Sequence, residues 1–251
     1  MLTEERKQLI LETLRRNGRV IAKDFAAQVG TSEDTIRRDL RELAREGLLQ
    51  RVHGGALPAS RAVADLKTRK SISAAEKTAI GRAAAGMVQS GQVVFLDGGT
   101  TAGEIVRHLP TSLRATIVTH SPTIAVALAD HAADVILIGG RLFRHSMVTT
   151  GAAAREEIAR IRADIYFMGV TGVHPELGLT TGDAEEAAIK RAILQASGET
   201  VVLTSPEKLG AASPFLVAPL SGASVILTTE SVPLEQLAPY ASAGVDIVRA
   251  R

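Results

Sequence analysis

The sequence has no cysteine and no tryptophan, and only 3% of its 251 residues are aromatic. Without cysteine the chain can form no disulfide, no zinc–thiolate site and no cysteine nucleophile, which fits a cytoplasmic protein. Few aromatic rings argue against binding by stacking on bases or sugars. No apolar run approaches the roughly 18 residues that a membrane helix needs, and the charged start MLTEERKQLI lacks the apolar core of a signal peptide. We therefore expect a cytoplasmic protein.

Positive charge is concentrated in the first quarter of the chain. Residues 1–57 hold 11 Lys/Arg and 9 Asp/Glu, a net charge of +2, whereas residues 58–251 hold 18 of each. An excess of two charges indicates nucleic-acid binding only weakly, so the placement of the arginines has to decide.

Residues 1–57 predict three short helices followed by a β-hairpin. Helices are expected at 3–16 and 22–29, and a third starts after Ser32, whose hydroxyl can accept a hydrogen bond from the first turn. That third helix has one apolar stripe, made of Ile36, Leu40 and Leu43. Its arginines lie off the stripe, and LLQRVHGGAL predicts two short strands around a turn. This order is typical of a winged helix-turn-helix domain, whose third helix enters the major groove of DNA.

Residues 76–251 predict helices and strands in alternation, joined to the first domain by a linker at 58–75. Such alternation is typical of an α/β domain with a mostly parallel sheet that is covered on both faces. Four successive strands end in small polar residues: Asp97-Gly98-Gly99-Thr100-Thr101, Thr119-His120-Ser121, Gly139-Gly140-Arg141 and Gly169-Val170-Thr171-Gly172. Because ligands of such sheets sit beyond the carboxyl ends of the strands, the four ends predict one polar pocket, and the first predicts phosphate binding.

Two nucleotide-binding motifs and a metal site are excluded. Thr100 occupies the second glycine position of GxGxxG, and the chain has no GxxxxGK[ST] motif. His120, His145 and His174 are isolated in sequence, and each fits a polar lining or a loop better than a metal ligand. We expect no cofactor and no metal.

The run TSEDTIRRDLRELAREGLLQRVHGGA resembles the DNA-binding signature of the DeoR family of bacterial transcriptional regulators. The resemblance implies that Ser32, Thr35, Arg37 and Arg38 work at the major groove, while Arg51, His53 and Gly54 belong to the wing. With Arg41 placed alongside, the predicted DNA-binding residues are Ser32, Thr35, Arg37, Arg38, Arg41, Arg51, His53 and Gly54.

The segments FLDGGTT, IVTHS, LIGGRL, FMGVTGVHPELGLTT and EEAAIKRA resemble the sensor domain of the same family. This resemblance implies a fold similar to that of ribose-5-phosphate isomerase and a phosphorylated sugar as effector. The predicted effector-binding residues are Asp97, Gly98, Gly99, Thr100, Thr101, Thr119, His120, Ser121, Gly140, Arg141, Glu186 and Lys208. Gly99, Thr100 and Thr101 would hold the phosphate, and Asp97 would accept a hydrogen bond from a sugar hydroxyl. His120 stands where the family commonly has asparagine, Gly98 replaces a common serine, and SPEK replaces an aspartate-serine-serine-lysine segment.

Three functions are compatible with this pattern. The first is a transcriptional regulator, most often a repressor of a carbohydrate operon, that binds operator DNA as a homo-oligomer and is controlled by the sugar phosphate. The second is a DNA-binding protein whose larger domain only oligomerises. The third is a sugar-phosphate isomerase, which needs a carboxylate base. The strand ending FMGVTG supplies no acid there, so we expect no enzymatic activity.

Overall fold

The N-terminal part of the chain forms three helices and a small antiparallel sheet. The structure is a computed structural model that describes residues 2–60, 62, 64 and 66–251. Its first elements are α1 (Thr3–Asn17), β1 (Val20–Ile21), α2 (Ala22–Val29), α3 (Glu33–Arg45), β2 (Leu49–Val52) and β3 (Gly55–Pro58). The hairpin β2–β3 carries β1 on its other edge, in the order β1-β3-β2. This is the predicted winged helix-turn-helix.

The apolar stripe of α3 holds the N-terminal part together. Ile36, Leu40 and Leu43 are almost fully buried and pack in one core with residues of α1, α2 and the hairpin. A buried ion pair adds to this contact: Arg6 Nε of α1 lies 2.5 Å from Asp39 Oδ2 of α3. Because both helices are fixed to one core, the opposite face of α3 remains at the surface with its arginines.

The rest of the chain is an α/β domain built on a seven-stranded parallel sheet. The strands are β4 (Val93–Leu96), β5 (Thr116–Thr119), β6 (Asp134–Leu137), β9 (Ala163–Gly169), β12 (Ser197–Leu203), β14 (Val225–Thr229) and β15 (Asp246–Ala250). Their order in the sheet is β15-β14-β12-β9-β4-β5-β6, and every neighbouring pair is parallel. The helices are α4 (Leu66–Arg69), α5 (Ala74–Ala85), α6 (Thr100–His108), α7 (Pro122–Ala127), α8 (Ala152–Ala159), α9 (Ala184–Gln195) and α10 (Leu234–Ser242). The expected fold class is confirmed.

Two hydrophobic clusters cover the two faces of this sheet. One contains Phe95 and Tyr166 with residues of α8, α9 and α10, and the other contains Phe167 with residues of α5, α6 and α7. Because successive residues of a strand point to opposite faces, the neighbours Tyr166 and Phe167 belong to different clusters. A sheet buried on both sides explains why the strand sequences are almost continuously apolar.

Five short strands described in the α/β domain lie outside its large sheet, and the sequence predicted none of them. They form a hairpin, β7 (Arg141–Phe143) with β8 (Val148–Thr150), and an antiparallel sheet of β10 (Gly172–His174), β11 (Gly178–Thr181) and β13 (Phe215–Ala218). The helix α10 was not predicted either. Most of these strands combine one or two apolar residues with polar residues or glycine, so they show neither the apolar run of a buried strand nor a clear alternation. Among the described helices none is long and apolar enough to cross a membrane.

Candidate functional site

The exposed face of α3 and the wing form one cationic surface. A shallow concave surface there is lined by Asp34, Thr35, Arg37, Arg38, Arg41 and Arg51. Four guanidinium groups thus converge from α3 and β2. Arg37 also contacts Glu33, one turn earlier, at 2.7 Å between Nη2 and Oε1. This pair is exposed and contributes little to stability, so Arg37 can exchange Glu33 for another anion at small cost.

The remaining predicted DNA-binding residues are Ser32, at the start of α3, and His53 and Gly54, in the turn between β2 and β3. Ser32 caps α3: its Oγ accepts a hydrogen bond from Thr35 N at 3.2 Å and lies 2.8 Å from Thr35 Oγ1. His53 and Gly54 form the exposed turn of the wing, where the positive φ of Gly54 (77°) favours glycine. Five of the eight predicted residues, Thr35, Arg37, Arg38, Arg41 and Arg51, therefore line one concave surface.

A cleft opens at the carboxyl ends of β4 and β9. Its lining comes from several elements: Arg69, Lys77, Gly98, Gly99, Thr100, Thr101, Ala102, Ser146, Gly169, Val170, Thr171, Thr181, Glu186, Lys190 and Lys208. Six of the predicted effector-binding residues are in this set, namely Gly98, Gly99, Thr100, Thr101, Glu186 and Lys208. The cleft lies where parallel sheets bind their ligands.

The start of α6 forms one wall of the cleft. Gly99 is the N-cap of that helix and has φ 113°, a conformation that side chains disfavour. The amides of the first turn have no acceptor within the helix, and the positive end of the helix dipole lies there. This wall is therefore suited to an anion, and a phosphate group is the common ligand of such sites.

Asp97 lies behind the cleft, fully buried, with both carboxylate oxygens occupied by protein donors. Oδ1 accepts hydrogen bonds from the Gly98 amide at 2.8 Å and lies 2.7 Å from His120 Nε2. Oδ2 accepts hydrogen bonds from the Gly169 amide at 2.7 Å and from Lys190 Nζ. Asp97 thus joins β4, β5, β9 and α9 to one another. This arrangement differs from the prediction that Asp97 accepts a hydrogen bond from a sugar hydroxyl.

These donors keep Asp97 ionised in the interior. Burial by itself raises the pKa of the carboxyl group, but the charge of Lys190 and the hydrogen bond from His120 outweigh burial, so the pKa of Asp97 is lowered. In Lys190 burial opposes the charge, and the carboxylates of Asp97 and Glu186 raise its pKa above the ordinary value. Both partners are therefore charged at neutral pH.

The cleft carries more cations than anions. Lys190 is shared between Asp97 and Glu186, whose Oε1 is 3.4 Å from Nζ. Lys208 donates from Nζ to the carbonyl oxygen of Leu203 at 3.1 Å, and burial lowers its pKa to about 8. Lys77 and Arg69 complete the cationic lining. An anionic ligand would supply the negative charge that this lining lacks.

The other predicted effector residues do not line the cleft. Thr119, His120 and Ser121 are buried at the end of β5, and the hydroxyl of Ser121 donates to the carbonyl oxygen of Met147 instead of capping α7. Gly140 and Arg141 begin the hairpin β7–β8, and a side chain on Gly140 would meet the carbonyl oxygen of Thr150. In the structure His120 orients Asp97, and Gly140 allows the hairpin to pack closely.

Sequence reasoning missed five of the polar lining residues. Lys190 lies on the buried side of α9, four positions after Glu186, and an i, i+4 pair of opposite charges on a helix was a usable signal. Arg69 and Lys77 come from the predicted linker and from α5, and Ser146 comes from the loop of a hairpin. Thr181 ends β11, one of the strands that was not predicted. Among the described residues, no group of three or more metal-binding side chains is placed to hold a metal ion.

Comparison with known proteins shows which family the N-terminal domain and the α/β domain belong to. A family model described as "DeoR C terminal sensor domain" matches residues 72–230, and another, described as "DeoR-like helix-turn-helix domain", matches residues 6–62. The chain belongs to the DeoR family of transcriptional regulators. The expected resemblance is therefore confirmed, and with it the general role of a DNA-binding regulator of transcription.

Several DeoR-family regulators are similar over most of their length. The HTH-type transcriptional regulator GlpR of Haloferax volcanii is 34% identical over 251 residues, which cover 99% of this chain and 98% of the relative. The glycerol-3-phosphate regulon repressor of Escherichia coli K12 is 31% identical over 84% of both chains. The transcriptional repressor GlcR of Bacillus subtilis is 29% identical over 91% of this chain and 89% of the relative.

Solved structures resemble the chain more distantly. Ribose 5-phosphate isomerase A from Methanocaldococcus jannaschii has a TM-score of 0.39 and 19% identity, over 53% of this chain and 52% of that chain. The sorbitol operon regulator SorC from Klebsiella pneumoniae has a TM-score of 0.38 and 13% identity, over 81% and 90% of the two chains. Both TM-scores are too low to support a statement about function.

Proposed function

We propose that this DeoR-family regulator is a repressor of a carbohydrate-metabolism operon whose affinity for operator DNA is controlled by a phosphorylated sugar bound in the cleft. The name of one relative supports a phosphorylated metabolite, because it is a glycerol-3-phosphate regulon repressor. The DNA-binding residues are those of the cationic surface on α3 and the wing. The domain boundaries 1–57, 58–75 and 76–251 and a homo-oligomeric state remain predictions.

The observation that carries the proposal is the composition of the cleft. It joins the amino-terminal end of α6 to Arg69, Lys77, Lys190 and Lys208, and Glu186 is its one acidic lining residue among those described. Such a lining favours a ligand with a compact negative charge, and the hydroxyls of Ser146, Thr171 and Thr181 can hydrogen-bond to a polyol.

The same lining argues against the isomerase alternative. An isomerase needs a carboxylate that can accept a proton from carbon. Asp97 is saturated by four donors, and Glu186 contacts Lys190 and accepts a hydrogen bond from Ser146 Oγ at 3.4 Å. Both carboxylates are engaged in holding the cleft together, so we propose a sensor without turnover.

The test is DNA binding by the full-length protein with and without sugar phosphates at one fixed salt concentration, since salt alone changes the affinity strongly. The DNA is selected from a randomised library by the protein itself. The panel contains ribose 5-phosphate, fructose 1-phosphate, glucose 6-phosphate and glycerol 3-phosphate, with the unphosphorylated compounds as controls. We expect at least one phosphate ester to raise the melting temperature and to change the DNA affinity.

Three results would contradict the proposal in different ways. If no phosphate ester changes either quantity, the sensor function is wrong and the purely oligomerising alternative gains support. If the unphosphorylated compounds act equally well, the cleft does not recognise phosphate. If ribose 5-phosphate is converted to its ketose isomer by the protein, the enzyme alternative is restored.

A further inference from the structure

A residue from the segment between the two domains reaches into the ligand cleft. Arg69 ends the short helix α4, and its side chain lies over the start of α6: Nη1 is 3.9 Å from the position that a Cβ on Gly99 would occupy. Nη2 donates to Ser146 Oγ at 3.5 Å, on the other side of the cleft. The guanidinium group therefore spans the mouth of the site.

The main chain of Arg69 is held by a hydrogen bond from helix α5. Its carbonyl oxygen accepts a hydrogen bond from Lys77 Nζ at 2.6 Å, so a lysine of α5 holds the end of α4 in place. Burial lowers the pKa of Lys77, the carboxylate of Glu207 opposes this, and the charge of Arg69 adds to the lowering. An anion at the start of α6 would lie close to the positive charge of Arg69.

The same segment is attached to the cleft a second time, next to the DNA-binding domain. The wing strand β3 ends at Pro58, and the following residue, Ala59, forms a parallel bridge with Ala212. Ser60 is buried and donates its hydroxyl to the carbonyl oxygen of Thr171. Thr171 lines the cleft, so the wing strand is connected to the ligand site by this hydrogen bond.

We propose that Arg69 is a ligand-binding residue, which contacts the anionic group of the ligand, and that Ser60 and Arg69 together transmit the occupancy of the cleft to the wing. This inference rests on the proposed function, because it concerns the ligand of the same cleft. The mechanism requires two arrangements of the segment to which the ligand binds unequally, since a ligand that binds both equally shifts nothing. A contact from Arg69 supplies this difference, because the ligand then favours the arrangement in which Arg69 lies over the start of α6.

The first part of the test measures ligand affinity by calorimetry on the full-length protein. The probes are the panel compound that gives the largest melting shift in the unmodified protein and inorganic phosphate. Arg69→Gln should weaken binding of both by about tenfold or more, because it removes a charge-assisted hydrogen bond. Lys70→Gln is the matched control: it removes the same charge from the adjacent, exposed position and should leave affinity unchanged.

The second part measures coupling, the ratio of DNA affinities without and with the ligand. Ser60→Ala should bind the ligand as the unmodified protein does, yet its coupling ratio should fall toward unity. Ser60→Thr keeps the hydroxyl and should retain the coupling, provided that both variants unfold cooperatively. In DNA binding without ligand, Arg69→Gln should equal Lys70→Gln, which separates ligand contact from DNA contact.

The outcomes separate this inference from the proposed function. If the unmodified protein responds to no panel compound, the proposed function fails and this inference fails with it. If it responds and Arg69→Gln binds the ligand as tightly as Lys70→Gln, Arg69 is no ligand contact and this inference alone is overturned. Full coupling in Ser60→Ala would likewise overturn it, because the segment would not carry the signal.

Discussion

Lys190→Met is expected to destabilise the sensor domain strongly. Methionine keeps the length of the side chain but removes the charge that Lys190 shares between Asp97 and Glu186. All three side chains are at least nine-tenths buried. Two carboxylates would then face each other in the interior without their cation, and burial of an uncompensated charge is costly.

The size of the stability loss depends on the hydrogen bonds that Asp97 retains in the Lys190→Met variant. Breaking a buried ion pair on one side costs about 3–5 kcal/mol. Asp97 still has the amides of Gly98 and Gly169 and the ring of His120 as partners, so we expect the lower end, about 3 kcal/mol. A chain of this size loses roughly 2–4 °C per kcal/mol, which predicts a drop of about 6–12 °C in melting temperature.

Differential scanning calorimetry of the full-length protein measures this drop, with Arg107→Met as the control. Arg107 forms a pair with Glu104 at 2.5 Å, but its side chain is 70% exposed, so its loss should cost less than about 1 kcal/mol. In the double variant, Asp97→Asn with Lys190→Met, the total loss should be smaller than the sum of the single losses, because the charges are removed together. A drop for Lys190→Met no larger than that for Arg107→Met would refute the view that Asp97 depends on a buried cation.

The pH dependence of the free energy of unfolding tests independently whether Asp97 is ionised in the folded protein. Because the pKa of Asp97 is lowered in the folded state, its contribution to stability is present above the unfolded value near 4 and is lost as the pH falls through the lower, folded value. The unmodified protein should therefore lose more stability on acidification than the Asp97→Asn variant, measured by urea unfolding at a series of pH values. Parallel curves for the two proteins would contradict the lowered pKa.

Three further changes test single side chains. Because burial lowers the pKa of Lys208 to about 8, the affinity for an anionic ligand should fall as the pH rises through that value. Ligand binding near that pH should take up a proton, which calorimetry in two buffers of different ionisation enthalpy detects. Lys208→Met should abolish this proton uptake. Ser32→Ala removes the cap of α3 and should lower the free energy of unfolding by about 1 kcal/mol. Ser32→Asp should keep the stability but lose DNA affinity. Equal DNA affinity in the two variants would argue against a DNA contact of Ser32. Arg38→Ala should weaken DNA binding and lower its salt dependence by about one ion with ligand affinity unchanged; loss of both activities would mean that the roles of the two domains are misassigned.

The sequence was sufficient for the parts of the fold that depend on local pattern. The stripe of Ile36, Leu40 and Leu43 and the apolar strands of the large sheet repeat at the spacing of their elements, so their burial could be predicted. Two of the four polar strand ends, those after β4 and β9, also located the cleft, because parallel strands place their carboxyl ends on one edge.

The failures concern residues whose roles depend on distant partners. Asp97 stands at a strand end where a ligand-binding residue is expected, yet Lys190, 93 positions later, donates a hydrogen bond to its Oδ2. Arg69 stands in a segment without clear periodicity, and only the folded chain shows that it lies over Gly99. Neither relationship follows from spacing along the chain, since both arise from how the elements pack.

The wide separation of Asp97 and Lys190 has a consequence for folding of the newly made chain. Strands β4, β5 and β6 are synthesised long before β9 and α9, although β9 is the neighbour of β4 in the finished sheet. Until then β4 presents an unpaired apolar edge, and a carboxylate that belongs in the interior has no cation beside it. Such an intermediate is prone to aggregation. Slow translation or high temperature during expression should therefore affect the yield of soluble protein more than the stability of the finished molecule would suggest.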